Sequence, residues 1–472
     1  MCTAEDYPTS ALKFDSSMQL SNDLLHLRNS STLTAVGGTG MPKKSTPDSG
    51  TVIIVGAGVS GLAAARECLQ RGFAPLILEG RNRPGGRVWT DHSLNTPVDM
   101  GAAWIHGKSG NPIYKVCRKN GIKTLVTDYS RSCLLSETGE KADFLNRLAF
   151  SARANRVMPR LRRLRKGLQQ DISLAKAVDR LLQETAMSRA ELCFLNRHLI
   201  EFQAYNGSTL EEQSFFHLLE SDEARHGEDM LFPQGYSQVV TALADGLQIE
   251  YEETVLAIRQ ADKRVRVETD KGSHDADFAI VTLPLGVLQA GTVEFTPQLP
   301  DAKKKAISEL KMGLFNKIAM CFEQPFWESE CHLIEMMPER SDLVYQFLNM
   351  HSYTGEALLI ACVAADTARE LEQESDEMIL KKTLDLLHRL YPGKVGSPTA
   401  VKISRWGQDK FARGAYTFVP TGMTSQPFDA LAEPFGRIHF AGEASSYQGQ
   451  GTVHGAYNSG IRAARELGKL PE

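Results

Sequence analysis

Hydrophobic positions fall into distinct regimes along the chain. Residues 1–50 show no sustained apolar period; Ser and Thr are frequent and Gly37-Gly38-Thr39-Gly40 interrupts them, which predicts a flexible extension. At Thr51 the pattern changes abruptly. Val52-Ile53-Ile54-Val55 is a continuous apolar run, as a strand buried on both faces requires. Gly56-Ala57-Gly58-Val59-Ser60-Gly61 follows, then a helix from Leu62 to Gln70 closed at Gly72, then a second buried strand from Ala74 ending at Glu79. The three pieces make a βαβ unit of about thirty residues. From about 141 to 226 the period is helical, with Phe144, Leu145, Leu148 and Ala149, then Leu161, Leu164 and Leu168, on one stripe. From 248 it turns strand-like: Ile249 to Tyr251, Val255 to Ile258, then Val265 and Val267 alternating with charged residues before an Asp270-Lys271-Gly272 turn. Phe278 to Val281 is a further buried strand, closed by Pro284. Between 300 and 400, amphipathic helices (Ala302 to Lys311, Asp376 to Leu390) mix with strands (Lys317 to Cys321, Ala357 to Val363). Arg437 to Ala441 reads as a strand and Gly455 to Leu467 as a helix.

Composition narrows the classes. At ~150 residues per domain, a chain of 472 residues suggests about three units. Apolar residues at 42% and charged residues at 23% exclude a disordered chain, a collagen-like fibre and a membrane bundle. A net charge of −4 gives no global basic footprint, and the basic stretch from Arg153 to Lys166 reads as a solvated helix face, so neither nucleic acid nor membrane is expected as a partner. The eight cysteines form no C-x-x-C pair and no metal-ligand spacing with His, which favours buried thiols in a reducing compartment. No apolar stretch reaches the roughly 18 residues of a membrane span. The first fifty residues lack a signal-like apolar core, and Lys469-Leu470-Pro471-Glu472 is not a peroxisomal tripeptide. A cytoplasmic location is therefore expected.

The strand–glycine–helix start carries the first chemistry. Gly56 permits the tight turn, Gly58 lets the backbone approach a pyrophosphate, and Gly61 lets helix and strand pack closely. The helix N-terminus offers free N–H groups and a positive dipole end to phosphate. Glu79 lies about twenty residues on, where a carboxylate accepts hydrogen bonds from ribose hydroxyls. Arg81-Asn82-Arg83-Pro84-Gly85-Gly86-Arg87 follows at once, a second backbone loop suited to phosphate with Arg87 as a fixed positive fork. A second phosphate-binding loop resembles the flavoprotein amine oxidases more than the nicotinamide dehydrogenases, and that resemblance implies FAD.

Near the C-terminus stand Phe440-Ala441-Gly442-Glu443-Ala444-Ser445 and Gly451-Thr452-Val453-His454-Gly455. With the N-terminal motifs, these residues closely resemble the flavin-containing amine oxidases, in the branch of polyamine oxidases and flavin lysine demethylases, from about Thr51 to the C-terminus. The resemblance implies that Glu443 binds the flavin ribityl chain and that the backbone at Thr452 and Val453 faces the ring system. It implies that Gly101-Ala102-Ala103-Trp104-Ile105-His106 passes over the flavin, with His106 hydrogen-bonding the substrate amine or accepting its proton. Lys317, in Met312-Gly313-Leu314-Phe315-Asn316-Lys317-Ile318, matches the family lysine that holds a water against the flavin. In Trp406-Gly407-Gln408-Asp409-Lys410-Phe411-Ala412-Arg413-Gly414-Ala415-Tyr416, Trp406 belongs to the cofactor segment and Tyr416 matches one wall of an aromatic cage. Val255 matches a backbone contact to adenine, and Glu201 an acid for a remote substrate ammonium. Two departures from the family are informative. Ala415 stands where monoamine oxidases carry the cysteine that attaches flavin, which implies non-covalent FAD. Thr452 stands where they carry a second cage tyrosine, which implies a half-open cage suited to a long or secondary amine.

The implied fold is mixed α/β: a Rossmann-like FAD-binding domain from 51–127, 228–297 and 410–472, and a discontinuous substrate domain of mixed sheet and helices from 128–227 and 298–409. The implied reaction oxidises an amine C–N bond to an imine that hydrolyses to aldehyde and amine, with dioxygen reduced to hydrogen peroxide. Polyamines or related amines are the expected substrates. An L-amino-acid oxidase would need an arginine aimed at the substrate carboxylate, and the sequence locates none. A lysine demethylase would add an N-terminal helical domain and a long helical insertion, and is the least favoured reading.

Overall fold

The computed structural model describes residues 49–142, 159–218, 227–341 and 343–468. The extension expected over 1–50 thus lies outside the described residues except for Ser49 and Gly50, as do Phe144, Leu145, Leu148 and Ala149. The architecture is mixed α/β, as expected.

A five-stranded parallel sheet is assembled from distant parts of the chain, in the order Ile438–Phe440, Phe278–Val281, Thr51–Val55, Ala74–Glu79 and Ile249–Tyr251. Its register sets Val52 to Val55 opposite Phe278 to Val281 on one side and Pro75 to Leu78 on the other. The apolar runs are covered on both faces, which removes them from water and is the main favourable term here. On one face the first helix, Val59–Gln70, packs along the last, Val453–Glu466, with the Ser60 and Ser459 hydroxyls 3.3 Å apart. The helix begins three residues before the sequence suggests. Val59-Ser60-Gly61 reads as loop by propensity, but all three residues are buried and tertiary packing overrides the weak local preference.

The second large sheet is mixed and six-stranded, in the order Ala400–Ile403, Phe315–Cys321, Leu358–Ala364, Tyr345–Asn349, Leu333–Met336 and Ser132–Leu135. Asp376–Leu390, capped by the Ser375 side chain, buries Ile379, Leu386, Leu387 and Leu390 against its core. The helix expected from Ala302 to Lys311 instead runs Asp301–Glu309, and Lys311 enters a short strand paired with Phe418. A three-stranded sheet is small but sets the site: Trp104–Ile105 and Leu125–Val126 both pair with Met230–Leu231. No helix among the described residues is long and apolar enough to cross a membrane.

Candidate active site

At the C-terminal edge of the parallel sheet two glycine loops are zipped together. The Gly85 N–H donates to the Ala57 carbonyl at 2.8 Å, and Gly58 and Gly85 form a parallel bridge. The first helix opens here with Gly58 as its N-cap; it has no side-chain cap and no acid in its first turn, so the N–H groups of that turn have no side-chain acceptor of its own. A Cβ added at Gly58 would meet no protein atom within 4 Å, whereas at Gly61 it would lie 2.0 Å from the Gly56 carbonyl oxygen. Gly61 is therefore needed for packing, and Gly58 borders open space suited to a pyrophosphate. We expect Gly58→Ala to fold with an unchanged melting temperature but bind flavin at least about tenfold more weakly, ~1.4 kcal/mol, in a fluorescence titration of the apoprotein. Unchanged affinity would remove Gly58 from the cofactor site.

Glu79 is buried at the end of its strand. Its carboxylate accepts from the Ala57 N–H at 2.8 Å and the Arg81 N–H at 2.9 Å. Burial raises its proton affinity and the two backbone donors pull it back, with a net rise. The N–H groups of Glu252 and Glu253 donate to the carbonyls of Arg81 and Glu79, which brings the buried Val255 toward the same end of the sheet. The Arg81 guanidinium donates to both oxygens of Asp409, at 2.9 and 2.6 Å, over the Phe411 ring, and so clamps two loops together.

Glu443 is likewise an internal hub. One carboxylate oxygen accepts from Arg87 Nη1 at 2.8 Å; the other accepts from the N–H groups of Gly451 and Thr417 and from the Thr417 hydroxyl. The Arg87 guanidinium also donates to the Ala415 carbonyl at 3.0 Å. Three of these four donors meet one oxygen, and the other oxygen has Arg87 alone among the described residues, so it keeps room for a further donor. The Thr452 hydroxyl accepts from the Gly455 N–H and donates to the Gly449 carbonyl, capping the last helix just before Val453. Trp406 is buried edge-on to Trp89, and its indole N–H donates to the Met100 carbonyl at 3.0 Å; it supports the turn that leads into Gly101.

That turn meets Lys317. The strand Phe315–Cys321 is internal to its sheet, paired on both sides, and Lys317 is 1% exposed. Its Nζ donates to the carbonyls of Asp99 at 2.6 Å and Gly101 at 2.7 Å and lies 5.6 Å from the Trp104 ring centre. Burial lowers its proton affinity, against opposing pulls from Cys362 and Asp99. Burial also pushes the Asp99 carboxyl up to about 6, against hydrogen bonds from Thr90 and the Tyr236 N–H. A small apolar cavity walled by Leu231, Phe232, Leu348, Met350 and Ile360 opens on this pair.

Past Gly101, Ala102 donates its N–H to the Arg87 carbonyl, Ala103 is buried, and the chain enters the short strand Trp104–Ile105. The Trp104 indole N–H donates to the Thr127 hydroxyl. His106, two residues on and so on the same side of the strand as Trp104, stands against the Tyr205 ring at 5.5 Å. Tyr205 in turn lies near enough to Tyr416 to raise the Tyr416 phenol, which burial already holds well up. Tyr416 donates its hydroxyl to the Ala204 carbonyl at 2.7 Å and stands against Gly451. His454 completes the group: burial, then the neighbouring His106, pushes it down to about 4. Because the unfolded value is near 6.5, its contribution to stability is complete above that value and is lost as pH falls toward 4. We expect His454→Gln to lose less melting temperature than the parent between pH 7 and 5; equal losses would remove this assignment.

The structure thus brings Lys317, Trp104, His106 and Tyr416 together. Glu201 lies one turn before Tyr205 on Arg189–Asn206 but is 43% exposed on its side chain and accepts from His198 at 3.2 Å. Sequence reasoning missed Asp99, Tyr205, Asp229 and His454. His454 stands inside a recognised motif, whereas Asp229 carries no signal of its own.

A family model described as flavin containing amine oxidoreductase matches residues 59–468. Lysine-specific histone demethylase 1 homolog 1 of Arabidopsis thaliana is 36% identical over 438 residues, 88% of this chain and 52% of that protein. The chain therefore spans about half the length of such demethylase homologues. Polyamine oxidase 4 of Oryza sativa subsp. japonica is 32% identical over 434 residues, 89% of this chain and 88% of that protein. A solved structure of a putrescine oxidase redesigned for cofactor binding superposes with a TM-score of 0.73 over 88% of this chain and 98% of that one; at 21% identity it speaks to the fold alone.

Proposed function

This chain belongs to the flavin-containing amine oxidoreductases, and on that premise we propose that it holds FAD non-covalently and oxidises a C–N bond of a polyamine or related amine, with dioxygen as acceptor and hydrogen peroxide as product. The observation that carries the reading is that one segment, 99–106, joins two half-sites: its Asp99 and Gly101 carbonyls hold the buried Lys317, and its far end places His106 against Tyr205.

The cofactor site fits the group: two apposed glycine loops, an uncapped helix N-terminus and open space in front of Gly58. Ala415 offers no thiol for attachment and uses its carbonyl to receive Arg87. When bound, the flavin supplies the two-electron acceptor for the carbon next to the amine nitrogen. The chain's own residues do the rest. That nitrogen must be neutral for the adjacent carbon to give up hydride, and the desolvated wall of Tyr205 and Tyr416 disfavours an ammonium there while His106 gives its proton a destination. On the other side, two positions on Lys317 Nζ are taken by carbonyls, leaving one to hold a water. The expected partners are thus a small amine and dioxygen.

Demethylase homologues at 36% identity raise a second reading, a methylated lysine in a peptide, above the amino-acid alternative. The match to a polyamine oxidase over nearly the full length of both chains supports the first. A peroxide-coupled assay on spermine, spermidine, their acetylated forms, methylated-lysine peptides, simple monoamines and amino acids separates them. The proposal expects turnover of a polyamine; turnover of a methylated peptide or an amino acid alone would sink it.

A further inference from the structure

We propose that Asp229 is a positioning residue that fixes the tautomer of His106, so that Nε2 faces the chamber as a proton acceptor; the catalytic part of this rests on the amine-oxidising reading above. The arrangement follows from the small sheet. Ile105 pairs with Met230 antiparallel, so the residue after one, His106, faces the residue before the other, Asp229, although 123 positions separate them. Val126 pairs with the same Met230, the Thr127 N–H donates to the Asp229 carbonyl, and the turn after it delivers Tyr129.

The carboxylate is held by donors of fixed kind. The Gly107 N–H reaches Oδ1 at 2.9 Å; His106 Nδ1 at 3.1 Å and the Tyr129 hydroxyl at 2.7 Å meet Oδ2. Burial pushes the Asp229 carboxyl up, but His106, Tyr129 and the Gly107 N–H outweigh it and hold it down to about 2. An ionised carboxylate only accepts, so Nδ1 must carry a proton and Nε2 is the ring atom left to accept one. The other titratable neighbours are Tyr205 and His454, with the exposed Lys108–Glu228 pair beside the turn. The Asn111 amide donates to the His106 carbonyl and steadies the backbone.

Asp229→Asn tests this because the backbone dictates how the amide sits. The Gly107 N–H can only donate, so the amide oxygen must face it and the NH2 must take the place of Oδ2. His106 Nδ1 then becomes an acceptor and the proton moves to Nε2, the wrong tautomer for accepting one. Two readouts are made on FAD-loaded protein. In 15N-detected NMR of labelled histidine, we expect the parent His106 to carry its neutral-state proton on Nδ1 and Asp229→Asn on Nε2. Anaerobic bleaching by a substrate polyamine should slow by roughly 10²- to 10⁴-fold in Asp229→Asn and less than about fivefold in Tyr129→Phe, which keeps the carboxylate. The same tautomer in both proteins overturns the proposal, and so does a switched tautomer with unchanged bleaching. If no amine bleaches even the parent, the functional reading fails, while the NMR comparison still decides whether Asp229 orients His106.

Discussion

Lys317→Met is expected to yield protein that still binds FAD but turns over roughly 10²- to 10⁴-fold more slowly, the range for loss of a positioned proton-handling group. The substitution keeps the length of the side chain in a strand paired on both edges, so the sheet register survives. It leaves the Asp99 and Gly101 carbonyls without their donor, about 1–3 kcal/mol for each buried group, so the melting temperature should also fall. Flavin content by absorbance, melting by circular dichroism and stopped-flow reoxidation by dioxygen separate the two effects. Reoxidation at the parent rate, in protein that retains its flavin, would remove the catalytic assignment and leave Lys317 as a structural tie.

Gly61→Val should be the more damaging change to the fold. Its Cβ would lie 2.0 Å from the Gly56 carbonyl oxygen and 3.2 Å from Ile54 Cγ2. The helix would have to lift off the central strand of the parallel sheet, losing packing on the order of 4 kcal/mol or more. Most of the stability of an ordinary domain would go with it. We expect little soluble protein and none carrying flavin. A soluble Gly61→Val with normal flavin content would show that the helix does not pack as described. The contrast with Gly58→Ala is informative, since the two glycines share one motif and differ only in what lies beyond the missing side chain.

The parts of the molecule legible in the sequence are those with a local cause. Runs of four apolar residues bounded by glycine or an acid announce buried parallel strands, and those strands fall where expected, within a residue or two. Lys317 was legible because its segment resembles that of the family lysine, and the structure gives its ammonium two carbonyls and nearly complete burial. What the sequence hid depends on pairing across long separations. Strands of two residues, such as Trp104–Ile105 and Met230–Leu231, are too short to show an alternating period, so nothing local ties Asp229 to His106. Recognised side chains also found partners that spacing cannot show: Arg81 meets Asp409, and the Glu443 carboxylate accepts from Arg87. Thr452, by contrast, caps its own helix through Gly455, three residues on.

The proposed function has segment 99–106 couple an amine site to a flavin held by the glycine loops. Anaerobic mixing of the purified, FAD-loaded chain with spermine or spermidine is the decisive test. The visible flavin absorbance is expected to bleach on mixing, to return on admitting air with release of hydrogen peroxide, and to bleach far more slowly in Asp229→Asn. Flavin that stays oxidised with every polyamine and every methylated-lysine peptide, in protein shown to be folded and loaded, would contradict it.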